Sequence, residues 1–375
     1  MLKSLKFSPR SEASNIDLIN KRRVVQRDSE SIASNETHPL VSIIILNFNG
    51  LDYLLPCLSS VFKTEYPNFE VLVVDNGSSD RSIEETRKRF RRVKIIANKT
   101  NLGYATGNNI GIKHALGEYI VLLNNDTIVS PTWLTCLVDE AIKRGNAILQ
   151  PKILLALNRR LINTVGNRIH LLGFGLPTGA GEIDKGQYDT SREIGYASGV
   201  CLFAPKTVFD DVGLLDDAHF LQCEDIDWGW RAKIFGYSSY LVPQSKIYHW
   251  WSRSLTWSAQ KFYWLERNRL FTILKNYDSR TLILILPMMV AAEMAILPYA
   301  ICKGFIKLKI RSYAELFMLR KYIATMRMKI EKKRKVSDSV LIHKFERRID
   351  HPYLPQFLNV ASRFIELYSK VIFGE

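Results

Sequence analysis

VSIIILNFNG, residues 41–50, is the stretch that decides the fold class of this chain. Its apolar half is rich in β-branched side chains, which predicts a buried strand, and its last four residues form a turn cluster. Residues 71–80, VLVVDNGSSD, repeat this plan, and residues 52–64 between them carry apolar side chains at helical spacing. Alternation of strand, helix and strand predicts a parallel sheet.

The same alternation continues along the chain. A polar helix is predicted over residues 81–92 and a short strand over 93–97, and the glycine-containing segment 101–109 opens the next helix. The apolar strand 119–123 then stops abruptly at Asn124-Asn125-Asp126. In open parallel sheets, ligands bind at the carboxyl ends of the strands. The sequence therefore predicts an α/β fold with a Rossmann-like, mostly parallel sheet, whose edge presents acceptor side chains where a cation and a phosphate could meet.

Six motifs of the chain stand in a fixed order. They are VSIIILNFNG (41–50), VLVVDNGSSD (71–80), NLGYATGNNIGI (101–112), YIVLLNNDT (119–127), GYASGVCLFAP (195–205) and FLQCEDIDWGWRAKIFGY (220–237). Together they cover roughly residues 40 to 275, and their order and spacing resemble the family 2 glycosyltransferases of the GT-A fold, close to the rhamnosyltransferase-like branch. The resemblance implies an inverting transfer of a sugar from a nucleoside-diphosphate donor to a hydroxyl group.

By this resemblance, polar residues that follow the first strands and surround the glycine segment bind the donor. Asp75 would accept a hydrogen bond from the base or ribose, with an Asx turn as the local alternative. Glycine would allow the backbone to approach the ribose and diphosphate closely. The donor set is Asn47, Asn49, Asp75, Asn101, Gly103, Asn108 and Asn125. Arg267 and Arg269 could offset phosphate charge or lie on a helix surface.

A departing nucleoside diphosphate concentrates negative charge, which a divalent cation can stabilise. Mg²⁺ and Mn²⁺ prefer oxygen ligands, and neutral imidazole also suits Mn²⁺. The resemblance implies that Asp126 and His249 hold this ion. Asn124 and Asn125 stand where the family usually has at least one aspartate, a departure shared by the rhamnosyltransferase-like members. Taken alone, Asp126 would be interpreted as a turn residue and His249 as a packed histidine.

Three acids, Glu224, Asp225 and Asp227, precede the helical stretch 228–235. Carboxylates are favourable near a helix N-terminus, so we expect helix capping to explain one of them. An inverting transfer also needs a base that accepts the proton of the acceptor hydroxyl. By resemblance the base is Asp225, with Asp227 as the main rival, and Glu224 or Asp227 would orient the base or hold the acceptor sugar. The acceptor set is Ser198, Gly199 and Asp227.

Length and composition allow a full core. The chain has 375 residues, 47% of them hydrophobic, and its five cysteines form no Cys-x-x-Cys pair, which is typical of a reducing compartment. The beginning of the chain is polar and has no apolar segment of the secretory type. We expect a polar arm at residues 1–39, a GT-A domain at 40–277 and a helical, basic, membrane-associating region at 278–375.

This last region joins an apolar segment to a basic one. The net charge is +15, and residues 303–348 contain 15 Lys or Arg against 4 Asp or Glu. The preceding apolar segment, 281–302, is long enough to cross a bilayer but is interrupted by Pro287, Glu293 and Pro298. An apolar segment followed by a basic one predicts a peripheral, monotopic or single-span protein at the cytoplasmic face of the cell membrane. The alternative is that the apolar segment is a buried core helix. No nucleic-acid-binding motif accompanies the charge, and a homo-oligomer is compatible with the sequence.

The function predicted is transfer of a sugar, such as rhamnose or another deoxyhexose, to a glycan or lipid-linked acceptor in cell-surface polysaccharide or glycolipid synthesis. A second hypothesis is a GT-A-fold protein that has lost catalysis and serves as a membrane-associated binding or scaffold subunit. Asp126, Asp225 and His249 together favour the enzyme, because a scaffold does not need all three. A nucleotidyltransferase is disfavoured, since no Gly-rich, Lys-containing phosphate loop opens the chain.

Overall fold

The computed structural model describes residues 38–250, 258–348 and 358–374. Within these ranges the strands are β1 (Val41–Asn47), β2 (Phe69–Asp75), β3 (Val93–Ala97), β4 (Tyr119–Asn124), β5 (Thr127–Val129), β6 (Ile148–Leu155), β7 (Ile162–Thr164), β8 (Asn167–Ile169), β9 (Gly175–Pro177), β10 (Arg192–Ile194), β11 (Cys201–Pro205) and β12 (Ser239–His249). The helices are α1 (Leu51–Val61), α2 (Ser82–Arg89), α3 (Gly103–His114), α4 (Trp133–Arg144), α5 (Lys206–Val212), α6 (Glu224–Ile234), α7 (Ala259–Asn276), α8 (Ser279–Cys302), α9 (Ile306–Met318), α10 (Arg320–Lys333), α11 (Asp338–Ile342) and α12 (Leu358–Phe373). The predicted polar arm lies outside the described residues except for its last two.

β1 lies inside a mixed sheet with the strand order β10-β12-β6-β11-β4-β1-β2-β3. It pairs in parallel with β2 and β4, and β2 pairs in parallel with β3. β11 runs antiparallel to β4 and β6. The parallel half is built from strands joined by helices, as parallel pairing requires. The predicted α/β fold with a mostly parallel central sheet is confirmed.

The register of the parallel strands aligns their carboxyl ends. Asn47 pairs with Asp75, and Leu46 pairs with Asn124. These strand ends therefore reach one edge of the sheet, where ligands of open α/β folds bind. His249 arrives at the same edge from the other half of the sheet, because it lies opposite Thr127 in the antiparallel pair of β12 and β5.

The sheet is covered on both faces. Side chains alternate along β1, so Ile43 and Ile45 enter one core with α1 and α4, whereas Ile44 enters another core with α3 and α6. Trp133 and Trp228 are fully buried in these two cores, one on each side of the sheet. Because both faces are buried, the parallel strands are continuous apolar runs rather than alternating ones.

The C-terminal helices extend the second core. Ile285 and Ala292 on α8 and Ile365 on α12 belong to the same buried cluster as Trp230 on α6. The contacts group the chain from Leu40 onward into one compact unit. The boundary predicted at residue 277 is therefore not a break in packing among the described residues.

Candidate functional site

Asn47 is the centre of a hydrogen-bonded group at the carboxyl edge. Its Nδ2 donates to Asp75 Oδ1 at 3.2 Å and to Ser82 Oγ at 2.9 Å, and its Oδ1 accepts from Asn125 Nδ2 at 3.0 Å. Asp75 Oδ2 accepts from the backbone N–H of Ser78 at 3.1 Å. This is the hydrogen bond of an Asx turn, the alternative role given for Asp75 above. The structure thus brings the predicted donor residues Asn47, Asp75 and Asn125 together as a brace between the ends of β1, β2 and β4.

The predicted donor residues at the start of α3 have two different environments. Asn101 Oδ1 accepts from the backbone N–H of Gly103 at 2.9 Å, and Asn108 Nδ2 donates to the Tyr104 carbonyl at 3.0 Å. Gly103 has a φ of +82°, and a Cβ there would clash with Phe220. A glycine is needed on both grounds. Asn101 and Gly103 therefore shape the loop at the edge, whereas Asn108 is buried and bonds within its own helix.

Asp126 and His249 face each other beside the ends of β4 and β12. Asp126 Oδ1 lies 3.2 Å from His249 Nε2, and His249 Nδ1 lies 2.9 Å from Asn163 Oδ1. Because an amide oxygen can only accept, Nδ1 carries a proton, and in a neutral imidazole Nε2 then presents its lone pair to the carboxylate. Asp126 Oδ1 is buried and has no hydrogen-bond donor. With the imidazole neutral, two acceptor atoms therefore meet without a proton between them.

This arrangement fits a divalent cation. A positive ion shared by Asp126 and His249 would relieve the repulsion between the two acceptors, and a carboxylate oxygen with a neutral imidazole nitrogen is a suitable pair for Mn²⁺ or Mg²⁺. Asn163, which the sequence did not single out, fixes the tautomer and orientation of the imidazole, as residues behind a metal ligand commonly do. It lies on β7, outside the motifs, and no pattern around it signals this role.

A second group of ligand-type side chains, Asp216, His219 and Asp227, has ligand atoms within 4.8 Å of one another. Here side chains already supply the positive charge. Lys275 Nζ contacts Asp216 at 2.5 Å and Asp227 at 2.8 Å, and Arg231 Nε contacts Asp227 at 3.0 Å. Burial opposes ionisation of Asp227, but the Lys275 ammonium and the Arg231 guanidinium hold the pKa of its carboxyl below its ordinary value. Asp227 is completely buried, so the structure places it in this charge cluster and away from contact with an acceptor.

Glu224 and Asp225 lie in the first turn of α6, which begins four residues before the expected Trp228. Asp225 accepts from the backbone N–H groups of Gly199 at 2.9 Å and Ile226 at 2.7 Å. Burial raises the pKa of Asp225, and these N–H groups oppose the rise. Burial, followed by the charge of Asp225, raises the pKa of Glu224 well above its ordinary value, and Glu224 Oε2 has no partner. The two environments favour an ionised Asp225 beside a neutral Glu224.

Gly199 connects Asp225 to Tyr104. Its N–H donates to Asp225, and its carbonyl accepts from the Tyr104 hydroxyl at 2.5 Å. A Cβ on Gly199 would lie 3.1 Å from the Tyr104 hydroxyl oxygen, which would have to move, and 3.6 Å from Asp225 Cβ, an ordinary contact. The neighbouring Ser198 is held by its N–H, which donates to Gln150 Oε1 at 2.7 Å. The structure therefore places both predicted acceptor residues, Ser198 and Gly199, next to the predicted base.

The loop that leads into α6 has an unusual backbone. Phe220, Gln222 and Cys223 have φ values of 58°, 71° and 66°, a region that costs non-glycine residues about 1–3 kcal/mol each. The buried Asn268 on α7 holds this loop, because its Nδ2 lies 2.8 to 2.9 Å from three loop carbonyls. A similar conformation occurs after β1, where Asn49 has a φ of 49° and its Oδ1 accepts from a backbone N–H at 2.8 Å. Strained backbone of this kind collects at functional sites.

Arg267 and Arg269 have structural contacts. Arg267 Nη1 donates to the Ala218 carbonyl at 2.5 Å, and Arg269 Nη2 contacts Glu266 at 3.0 Å and Glu293 at 2.7 Å. Both arginines are buried. Arg267 thus supports the strained loop, and Arg269 joins α7 to α8. These contacts correct the expectation that the two side chains are available to offset phosphate charge or lie on a helix surface.

Residues 42–200 of this chain match the family model described as Glycosyl transferase family 2. An uncharacterized glycosyltransferase of Haemophilus influenzae is 37% identical over 114 residues, which are 30% of this chain and 35% of that protein. The N-acetylglucosaminyl-diphospho-decaprenol L-rhamnosyltransferase of Mycobacterium tuberculosis is 28% identical over 234 residues, 56% of this chain and 75% of that protein. The chain spans 35%, 25% and 52% of the lengths of the first three curated relatives that it matches.

Among solved structures, GalNAc-T7 with UDP, GalNAc and Mn²⁺ is similar with a TM-score of 0.57 at 17% identity, over 74% of this chain and 55% of that chain. At this identity the similarity concerns the fold. Together with the family model, it confirms the resemblance indicated by the motifs. Residues 42–200 therefore belong to glycosyl transferase family 2, and the fold around them is of the GT-A type.

Proposed function

We propose that this protein is an inverting, metal-dependent glycosyltransferase. It would move a sugar from a nucleoside-diphosphate donor to a hydroxyl of a glycan or lipid-linked acceptor in the synthesis of a cell-surface polysaccharide or glycolipid. The observation that carries the proposal is the geometry around Asp225, a carboxylate that accepts from the Gly199 N–H and lies beside the buried Glu224, whose Oε2 has no hydrogen-bond partner.

Asp225 is the base of this proposal. A general base must be ionised, oriented and close to the acceptor hydroxyl. The backbone N–H groups of Gly199 and Ile226 favour the ionised form and fix its direction. Glu224, kept neutral by burial, can donate a hydrogen bond that a carboxylate could not. Inversion follows if the acceptor, activated by Asp225, attacks the anomeric carbon on the face opposite the departing diphosphate.

The donor would occupy the edge formed by the loops after β1, β2 and β4. Asp126 and His249 would hold a Mg²⁺ or Mn²⁺ ion, whose charge stabilises the departing diphosphate when it is bound. The brace of Asn47, Asp75 and Asn125 would orient the loops that surround the nucleoside. This brace is preorganised, so binding would require little ordering of these loops.

Rhamnose or another deoxyhexose is the sugar that we propose. Support comes from the Mycobacterium tuberculosis relative, whose name specifies an L-rhamnosyltransferase acting on a decaprenol-linked diphosphate sugar. A lipid-linked acceptor of this kind would place the enzyme at the cytoplasmic face of the membrane. The identity of 28% supports the class of reaction more than the individual substrate.

The alternative of an inactive scaffold explains fewer observations. A scaffold has no use for Asp126 Oδ1 and Glu224 Oε2, two buried carboxylate oxygens without a hydrogen-bond partner. Such groups cost free energy and are retained where a ligand or a reaction needs them.

The test is release of nucleoside diphosphate from a panel of dTDP-, UDP- and GDP-sugars with Mn²⁺ or Mg²⁺, in the presence of membrane lipid extract as the acceptor source. Wild type is compared with Asp225→Asn and Asp126→Ala, and nucleotide affinity is measured in the same samples. We expect donor-selective, metal-dependent release that both substitutions abolish, with nucleotide binding retained by Asp225→Asn. A wild-type protein that binds no nucleotide at all would favour the scaffold.

A further inference from the structure

The outward face of α8 is apolar along most of its length. The exposed residues between 283 and 302, here called the apolar stripe, are Ile283, Leu286, Pro287, Val290, Met294, Pro298, Ile301 and Cys302. They recur every three or four positions, or side by side, as one face of a helix does. Five of them, Ile283, Leu286, Val290, Met294 and Ile301, are between 54% and 72% exposed. Large contiguous apolar surfaces of this kind mark sites that contact a protein or a membrane.

The opposite face of α8 is fixed to the protein. Ile285, Met288, Ala292, Ile296 and Ala300 are buried in the core that they share with the other helices. By length and composition α8 could cross a membrane. A spanning position would pull these five side chains out of the core.

Glu293 explains why this apolar helix contains an acid. Its carboxylate contacts Arg269 at 2.7 Å and Lys309 at 2.6 Å, and the buried Lys309 also contacts Glu266. If α8 left the protein, Arg269 and Lys309 would lose one of their acidic partners. Glu293 itself would enter the hydrocarbon region as an unpaired charge. Glu293, which interrupts the apolar segment, therefore holds α8 on the domain through its ion pairs.

Along the chain, the exposed charges that flank and follow the stripe up to residue 330 are of one sign. Every exposed charged residue between 279 and 330 is basic: Arg280, Lys303, Lys307, Arg311, Arg320, Lys321 and Lys329. Arg280 lies in the first turn of α8, and Lys303 directly follows its last turn, so the stripe has a basic residue at each end. An apolar helix face with basic flanks is the pattern of interfacial helices that bind anionic lipids.

An apolar groove opens beside the apolar stripe. It has a volume of about 400 Å³ and lies between α7, α8 and α9. Three of the stripe residues, Leu286, Val290 and Met294, form part of its wall, together with Leu270 and Leu316 from the neighbouring helices. A groove lined in this way fits a hydrocarbon chain better than a polar ligand, because nearly all of its lining is aliphatic.

We propose that α8 is a monotopic membrane-docking helix, which lies flat on an anionic phospholipid surface with the apolar stripe in the boundary between headgroups and acyl chains. The groove takes a hydrocarbon chain from that surface. The basic residues at the two ends of the apolar stripe, Arg280 and Lys303, contact the headgroups. The helix does not cross the bilayer. This surface is independent of the carboxyl edge, so docking and sugar transfer can fail separately.

The experiment measures co-flotation of the full-length protein with vesicles of phosphatidylcholine, with and without phosphatidylglycerol. The variant Val290→Gln/Met294→Gln changes two exposed stripe residues. Its matched control is Leu116→Gln/Leu157→Gln, which changes two apolar residues outside the C-terminal helices that are at least as exposed, 72% and 67% against 54% and 67%. We expect binding to phosphatidylglycerol vesicles that high salt weakens. The stripe variant should bind about tenfold more weakly or worse, and the control should bind as wild type does.

Other results would overturn the proposal. Equal binding of wild type and the stripe variant would show that the stripe does not contact lipid. Retention of the protein in membranes after salt and alkaline carbonate washes would indicate a spanning helix. A wild-type dimer that binds no vesicles, and that the stripe variant converts to monomers in sedimentation, would assign the stripe to a second copy of the chain. Nucleotide affinity of each variant reports its folding independently of docking.

Discussion

The molecule contains two groups of buried or largely buried carboxylates that differ in their partners. In the paired group, every carboxylate contacts a Lys or Arg side chain, and its members are Asp216, Asp227, Glu266 and Glu293. In the edge group, no Lys or Arg of the described residues lies within 4 Å of a carboxylate oxygen, and its members are Asp126, Glu224 and Asp225. Burial alone therefore does not distinguish a structural acid from a site acid in this fold.

Asp225 and Asp227 show the difference between the two groups within one turn of α6. Two residues along a helix rotate the side chain by about 200°, so neighbouring acids face nearly opposite directions. Asp227 turns inward to Lys275 and Arg231, and Asp225 turns toward the backbone of Gly199. A buried charge without a counter-ion costs free energy, and natural folds retain such costs at functional sites. Substitutions in the two groups should therefore act on different quantities.

The largest effect is expected from Asp225→Asn. Asparagine keeps the shape of the side chain but cannot accept a proton, so kcat should fall by about 10²- to 10⁴-fold. Nucleotide affinity should stay near that of wild type. Both carboxylate oxygens accept from backbone N–H groups, those of Gly199 and Ile226, and asparagine can accept from only one of them, so the free energy of unfolding should fall by about 1–3 kcal/mol. Sugar transfer and unfolding are measured on the same preparation. Unchanged kcat would remove Asp225 from the role of base.

Asp227→Asn should act on stability. The substitution leaves the Lys275 ammonium and the Arg231 guanidinium buried with too little negative charge, which destabilises a fold by about 3–5 kcal/mol. Urea unfolding measures this loss, and the folded fraction should keep its kcat per active molecule. Glu85→Gln is the matched control, since it removes an exposed ion pair with Arg89 and should change stability by about 0.5 kcal/mol or less. A stable Asp227→Asn protein without activity would return Asp227 to the acceptor site.

Asn163→Ala tests the pair formed by Asp126 and His249. Loss of the amide oxygen frees the imidazole to rotate and to change its tautomer, so Mn²⁺ affinity in the presence of nucleotide should weaken by about 10- to 100-fold. Calorimetric titration of Mn²⁺ measures the change. Asn158→Ala, in an exposed loop, is the control and should bind Mn²⁺ as wild type does. Equal affinity in both variants would mean that His249 is not a ligand.

The half of the sheet formed by β1 to β4 could be predicted from the sequence, because each buried strand is an apolar run that stops at turn residues. The register then follows, and it brings Asn47, Asp75 and Asp126 to one edge without further information. The start of α6 could not be predicted, because Cys223 before it adopts a left-handed conformation that its own side chain does not favour. Contacts from Asn268, far along the chain, impose it.

The partners of the acids were also outside the reach of sequence patterns. Asp227 belongs to the same acidic cluster as Asp225, and only the fold shows that Lys275 packs against it. In the sequence, Glu293 only interrupts an apolar segment. In the structure, it forms ion pairs with Arg269 and Lys309. Pairing depends on tertiary structure, whereas a buried strand or an amphipathic helix depends mainly on local composition.

The two groups should respond to pH with opposite signs. Burial would raise the pKa of Glu266, but Arg269 and Lys309 lower it to about 2. Its stabilising contribution is therefore complete above the ordinary glutamate pKa of about 4.3 and is lost as the pH falls toward 2. The pKa of Glu224 is raised, so its contribution is most favourable at low pH and is lost as the pH rises.

Glu224→Gln tests the loss of stability that Glu224 is expected to cause as the pH rises. It removes the ionisable group from the buried position, so at neutral pH the variant should be more stable than wild type. The difference should shrink toward zero as the pH falls below the ordinary glutamate pKa of about 4.3, where wild-type Glu224 becomes protonated in the unfolded state as well. Urea unfolding across this pH range measures it. A variant less stable than wild type at neutral pH would place Glu224 in the paired group.

The smallest effect is expected from Tyr104→Phe, which tests how the edge group is positioned. The hydroxyl reaches Asp225 only through Gly199, so its loss removes one hydrogen bond and leaves the base in place. A bond of this kind contributes about 0.5–1.5 kcal/mol, and kcat should fall by about 2- to 12-fold. The acidic limb of the pH profile of kcat should also shift, since a less firmly held Gly199 N–H stabilises the ionised Asp225 less well. Tyr237→Phe, which removes a hydroxyl bond to Asp211 at 2.8 Å, is the control. If Tyr104→Phe lowers stability as this control does but leaves the pH profile in place, Tyr104 supports the fold without positioning the base.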